Sequence, residues 1–221
     1  MAEGMKPYYQ DESVTIYNAD CREVLPTLDK VDLVLTDPPY GIGEAAGKNK
    51  SRGSKTIAPT NFGASESWDD APIDPALLAL VRRMGHTQII FGGNYYDLPP
   101  TSCWLIWDKI NGTNDFADCE MAWTNMAQAV RLFRWQWHGF IQGDMKHKER
   151  RQHPTQKPVP LMRWCIEQSK TEGTVLDPFM GSGTTLRAAK DLGRKAIGIE
   201  IEERYCEIAA NRMSQLAMEL N

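Results

Sequence analysis

A chain of 221 residues, 42% hydrophobic and 24% charged, has ample material for the core of one compact domain. It has no apolar run long enough to span a bilayer and no charged-then-apolar leader, so a cytoplasmic protein is expected. A net charge of −4 argues against indiscriminate nucleic-acid binding, and the scattered Cys21, Cys103, Cys119, Cys165 and Cys206 lack the spacing of a disulfide framework or a zinc site.

In chain order, Met1 to Glu12 is polar and reads as irregular. Val14 to Tyr17 is a short strand leading to Asn18-Ala19-Asp20, and Asp20 is placed to cap the helical turn CREVLPTL. Val31 to Tyr40, VDLVLTDPPY, is the most informative stretch. Val31, Leu33, Val34 and Leu35 show no helical period and read as a strand buried on both faces, as in parallel sheets. Pro38 and Pro39 then carry the chain off the sheet stiffly, because each fixes its own φ and restricts the residue before it.

That turn holds Asp37 and Tyr40 on rigid backbone. The arrangement suits the exocyclic amine of a nucleobase, whose lone pair is delocalised into the ring and poorly nucleophilic. Asp37 and the Pro38 carbonyl can both accept hydrogen bonds from one NH₂, localising its lone pair while Tyr40 stacks on the base. Taken alone, Asp-Pro-Pro is equally well explained as loop punctuation after a strand.

Gly41 to Glu66 is long, aperiodic and rich in Gly, Ser, Lys and Asn, with Lys48, Lys50, Arg52 and Lys55 forming a basic cluster. A helix over Asp74 to Met84 follows, with Pro75 in its first turn. Thr87 to Phe91 reads as a strand ending in Gly92-Gly93, where a ligand can approach the backbone closely. Cys103 to Lys109, Cys119 to Asn125 and Ala129 to Trp137 are strand-like and too closely spaced for helical crossovers, so an antiparallel end of the sheet is expected. Arg131, Leu132, Phe133, Arg134, Trp135 and Trp137 mix charge with rings, which suits a nucleic-acid surface, an edge strand or a subunit contact.

A second basic cluster, Lys146, Lys148, Arg150 and Arg151, precedes HPTQKP at His153 to Pro158 and a helix over Val159 to Ser169. Thr174 to Leu176 is a short strand, turned by Asp177 to Gly183 into a helix over Thr184 to Asp191. The turn is not a phosphate-binding P-loop, since Gly183 is followed by Thr184 and not lysine. KAIGIE, Lys195 to Glu200, ends with an acid at a strand terminus, where it can accept both hydroxyls of a ribose. A last helix runs from Glu202 to about Met218.

TDPPY and TVLDPFMGSGTT together resemble the S-adenosylmethionine-dependent amino-group DNA methyltransferases. Their catalytic tetrapeptide reads [DNS]PP[YFW], and their cofactor motif contains FxGxG, here Phe179, Gly181 and Gly183. The catalytic motif comes first and the cofactor motif last, with HPTQKP just before it, which looks like the permuted class β. The resemblance implies an α/β fold, a three-layer Rossmann-like sheet, mostly parallel with one antiparallel strand and circularly permuted. It implies a catalytic half over about 13–137, a very short recognition segment over about 138–152 and a cofactor-binding half over about 153–221.

By the same resemblance, Asp37, Pro38, Pro39 and Tyr40 are catalytic. Asp20, Thr155, Gln156, Lys157, Asp177, Pro178, Phe179, Gly181, Ser182, Gly183, Thr184 and Glu200 bind S-adenosyl-L-methionine. The two basic clusters, with Arg131 and Arg134, become contacts to double-stranded DNA from which the target base is flipped. No metal is implied, a homodimer is, and the setting is prokaryotic or phage-encoded. In the resembling family Asp in the first catalytic position goes with adenine N6 and Ser with cytosine N4. RNA or protein-amide methylation and an inactive DNA-binding relative are the alternatives.

Overall fold

The structure, a computed structural model, describes residues 5–42, 71–112, 117–138, 141–152 and 155–215. The basic cluster of Lys48, Lys50, Arg52 and Lys55, and His153 of the HPTQKP run, lie outside the described residues.

Its strands are β1 (Tyr9–Gln10), β2 (Val14–Asn18), β3 (Val31–Thr36), β4 (Gly85–Phe91), β5 (Trp104–Asp108), β6 (Cys119–Thr124), β7 (Arg131–Arg134), β8 (Trp137–His138), β9 (Ile141–Gln142), β10 (Val175–Asp177) and β11 (Ala196–Glu200). The α-helices are α1 (Cys21–Val24), α2 (Pro75–Arg83), α3 (Val159–Ser169), α4 (Thr184–Asp191) and α5 (Glu203–Ser214). One sheet has the order β1-β2-β11-β10-β3-β4-β6-β5-β7, and β8 pairs with β9 apart from it.

The five strands from β2 to β4 in that order are parallel, which puts their carboxyl ends along one edge. Alternation along them creates the layers. Leu33 and Leu35 of β3 pack with Leu161, Ile166, Leu186 and Cys206 of α3, α4 and α5. Val34 faces the opposite way, toward Val24, Leu77, Leu78 and Val81 of α1 and α2. Both faces of β3 are therefore sealed, and Leu33, Val34 and Leu35 are fully buried, each contributing on the order of 1.5–3 kcal/mol. This is the doubly wound, three-layer arrangement expected for a strand with apolar residues on both faces.

β6 runs antiparallel to both β4 and β5, as the close spacing of the aromatic strands requires. β7 departs from the expected antiparallel end. It takes the free side of β5 and not of β6, so it pairs in parallel with β5 and becomes the sheet edge. The single strand expected over Ala129–Trp137 also breaks after Arg134, because Trp137 pairs with Gln142 in the β8–β9 hairpin. A second correction concerns the first twelve residues. Asp11 accepts hydrogen bonds from the backbone N–H groups of Ser13 and Val14, and the turn this makes pairs β1 antiparallel to β2. Four cysteines are buried and Cys119 is exposed.

Candidate active site

Asp37, Asp177 and Glu200 all stand at or just beyond the carboxyl ends of parallel strands, β3, β10 and β11, where open α/β sheets keep their ligands. A cleft of about 370 Å³ opens there, walled by residues that include Asp20, Asp37, Gln156, Lys157, Gly181 and Glu200. Residues from the first fifth and last third of the chain thus meet because β3, β10 and β11 are adjacent in the sheet.

On one side the β10–α4 turn shapes the wall. Asp177 is fully enclosed, and its carboxylate accepts from Thr36 Oγ1 at 2.7 Å, Thr185 Oγ1 at 2.6 Å and the Phe179 N–H at 3.1 Å. Burial pushes its pKa up to about 6 despite these donors. Pro178, Phe179, Gly181, Ser182 and Thr184 line the cleft with it. Gly183 does not. It caps α4 with φ +76°, and an added Cβ would come within 2.8 Å of Ala209 Cβ, so this glycine serves the packing of α4 on α5.

Glu200 accepts the N–H groups of Gly181 at 3.0 Å and Glu202 at 2.8 Å, and burial pushes its pKa up to about 7. Asp20 caps α1 by accepting from Arg22 N at 2.8 Å while lining the cleft. Its capping and cleft positions are compatible. Thr155 is also in the wall. Gln156 Oε1 accepts from Gln152 N at 2.8 Å and Ser182 Oγ at 3.3 Å, which fixes the amide, yet its buried Nε2 has no partner among the described residues. An unpartnered amide N–H beside a cleft fits an anionic ligand group such as the carboxylate of an amino-acid cofactor.

On the other side Asp37 projects from β3 onto the two-proline turn. Tyr96 Oη donates to the carbonyls of both Pro38 and Pro39 at 3.0 Å and so clamps the turn. Tyr40 Oη donates a short hydrogen bond to Asp37 Oδ1. Its ring stacks on exposed Tyr95 with centroids 5.1 Å apart and planes 17° apart. Gly92 lies against that ring, where a Cβ would stand 2.2 Å from Tyr40 Cε1, so a glycine is required there.

Lys157 reaches across from the HPTQKP run and places Nζ 2.5 Å from Asp37 Oδ2 and 2.9 Å from Glu120 Oε2. Lys109 pairs with the other Glu120 oxygen. Burial alone would lower the Lys157 pKa, but the facing carboxylates of Asp37 and Glu120 outweigh it and hold the ammonium charged. Glu120 would be raised by burial, yet Lys157 and Lys109 bring it down to about 2. Asp37 is raised by burial, with Lys157 opposing and Glu120 adding. Glu120, on β6, was not among the residues singled out from sequence. An acid in an alternating strand gives no sign of its partner.

The basic residues separate. Arg131, Arg134, Lys146, Lys148 and Arg150 are exposed, with Arg134 paired to Asp108 at 2.9 Å. Arg151 instead lies over the Trp137 ring at 6.0 Å and is largely sheltered. The rings near the edge strand also turn inward. Phe133 stacks between Trp135 and Trp164 at 6.1 and 5.2 Å, and Trp137 is buried and donates to the Gln156 carbonyl at 2.9 Å. They form a satellite of the core and not a stacking surface.

Residues 100–211, just over half of the chain, match the family model described as DNA methylase. The chain belongs to this N6/N4 DNA methylase family. The type II methyltransferase M.HinfI of Haemophilus influenzae is 27% identical to this DNA methylase over 267 aligned positions, covering 96% of the chain and 71% of that protein. Two solved structures share its fold. The PvuII DNA methyltransferase, cytosine-N4-specific, superposes with a TM-score of 0.61 at 19% identity, covering 98% of this chain and 92% of that one. The complex of M1.HpyAVI with its cofactor superposes with a TM-score of 0.56 at 22% identity, covering 91% and 100%.

Proposed function

We propose that this DNA methylase transfers a methyl group from S-adenosylmethionine to N6 of adenine in double-stranded DNA. The observation that carries the reading is that Asp37 lines the same cleft as Glu200 and Gln156, with the Pro38 carbonyl next to it in the chain and clamped by Tyr96. Gln156 Nε2, Glu200 and the Gly181 backbone are suited to the carboxylate, ribose and nearby parts of the cofactor. When bound there, the cofactor supplies an electrophilic methyl carbon on a sulfonium.

Asp37 and Pro38 accept the two N–H groups of the target amine and draw its lone pair out of ring conjugation. The Pro38 carbonyl already accepts one hydrogen bond and Asp37 two, one on each oxygen, but a carbonyl oxygen or carboxylate has further lone pairs to offer. Transfer would break the methyl C–S bond, with the sulfonium leaving as the neutral thioether, and would put positive charge on the nitrogen, where Asp37 is the anion in place to stabilise it and take its proton. Asp37 lies too deep for a stacked base, so the target must leave the helix, with Tyr40 as the ring it meets.

Adenine is favoured over cytosine because Asp37 fills the first catalytic position, in keeping with the family correlation. The short 138–152 segment leaves little chain for reading base edges, so the site is short or loosely specified. Incubation of unmethylated DNA with methyl-labelled cofactor, digestion to nucleosides and mass spectrometry tests the reading. N6-methyladenine is expected. N4-methylcytosine as sole product overturns the choice of base, and label in RNA or protein alone overturns the choice of substrate.

A further inference from the structure

We propose that Glu120 is a positioning residue for methyl transfer: acting through Lys157, it sets how strongly the Asp37 carboxylate accepts the protons of the target amine. The inference rests on the assignment of Asp37 as the amine's acceptor. Its physical basis is a line of alternating charges, Asp37, Lys157, Glu120 and Lys109, that begins in the cleft and ends on β6 and the end of β5.

Lys157 is the centre of that line. Only 6% of its side chain is exposed, and its ammonium lies 5.3 Å from the Phe91 ring centroid and 5.6 Å from that of Tyr40. Two carboxylates compete for it. Glu120 Oε2 is sealed from solvent, and among the described residues the contact with the Lys157 ammonium at 2.9 Å is what compensates that oxygen. Every interaction that ties Lys157 to Glu120 weakens its hold on Asp37, and the reverse holds too. A lysine given wholly to Asp37 would quench the carboxylate as an acceptor. An Asp37 without lysine would face Glu120 unshielded and keep a proton itself. The shared arrangement lies between these limits.

Among the described residues the other groups around Asp37 are Tyr40 from its own turn and Asp177 from β10, and Arg151 acts on Glu120 from the segment before α3. None of them bridges the two carboxylates. This gives two variants opposite signs, which a purely structural role for the cluster does not.

The test is a ¹³C NMR titration of aspartate carboxyl carbons, with the Asp37 resonance identified by its loss in Asp37→Asn. Glu120→Gln is expected to move the Asp37 midpoint down by about 1 pH unit, and Lys157→Met to move it up by at least as much. Lys109→Met, at the partly exposed end of the line, frees Glu120 to draw Lys157 away and is expected to move it up by less. That variant keeps the test available if the buried ones fail to fold. The acid limb of kcat for DNA methylation follows the same directions. An Asp37 midpoint unmoved in all folded variants, or moved the same way by Glu120→Gln and Lys157→Met, overturns the proposal. Opposed NMR shifts in an enzyme that transfers no methyl group to DNA uphold the linkage and refute the function instead.

Discussion

Thr36 Oγ1 donates to Asp177 Oδ1 at 2.7 Å, joining the strand that ends in the two-proline turn to the strand that ends in the β10–α4 turn across 141 residues. β3 and β10 are neighbours in the sheet, and this bond closes their carboxyl ends over a buried charge. Asp177 thereby orders the β10–α4 turn through the Phe179 N–H and the first turn of α4 through Thr185.

Stability should depend on the charge of Asp177. Its folded pKa, about 6, is above the ordinary value of 3.8, so folding favours the protonated acid. The associated stability is full below pH 4 and is lost as pH rises through 6, on the order of 3 kcal/mol in total. Denaturant unfolding of the enzyme and of Asp177→Asn from pH 4 to 8 should give a difference that moves in the variant's favour with rising pH. A difference independent of pH would contradict the burial argument.

Cofactor affinity should rise with pH. Glu200 has its pKa pushed up to about 7 by burial, while ribose hydroxyls donate to the ionised form. Calorimetry is expected to show tighter binding between pH 6 and 8, with loss of the dependence in Glu200→Gln.

Two glycines of the same turn should fail differently. Gly183→Ala forces a Cβ onto a left-handed cap against Ala209 and is expected to cost ~1–3 kcal/mol of stability. Gly181→Val strains a backbone at φ +50° as well, but it also crowds the cleft wall, so it loses cofactor affinity in addition to stability. Thermal unfolding and cofactor titration on both variants separate the two roles.

These contrasts mark what was legible in the sequence. β3, β10 and α4 were readable because an apolar run without helical period or a glycine-led turn is a local signal, and α4 begins and ends where expected. The edge was less legible. Trp135 and Trp137 sit among arginines and suit a nucleic-acid surface, an edge strand or a subunit contact alike, but the pairing of two strands of two residues each, too short to signal itself, turns Trp137 inward. Glu149 was invisible for a similar reason: it accepts the Val159 N–H at 2.9 Å and caps α3 from ten residues away. At the site, Asp37 and Lys157 stood in separate motifs, and only the topology pairs them across 120 residues. Glu120 lay in neither motif.

DNA binding should be carried by the charges that remain exposed. Replacing Lys146, Lys148 and Arg150 with Gln should weaken binding to all sequences and lower the salt slope by roughly one unit for each phosphate no longer neutralised. Arg151→Gln, which removes the guanidinium from the Trp137 ring, should affect stability more than the slope. Fluorescence anisotropy at several salt concentrations measures both, and an unchanged slope in the triple variant would return these residues to a solvated loop.

The direct test of the account is Asp37→Ala, studied for cofactor binding and for transfer in parallel. Asp37 is assigned to the amine and not to the cofactor, so calorimetry should find S-adenosylmethionine affinity within a few-fold of the unsubstituted enzyme, while single-turnover transfer of labelled methyl to DNA is abolished. Retained transfer, or a loss of cofactor affinity as large as the loss of transfer, would contradict it.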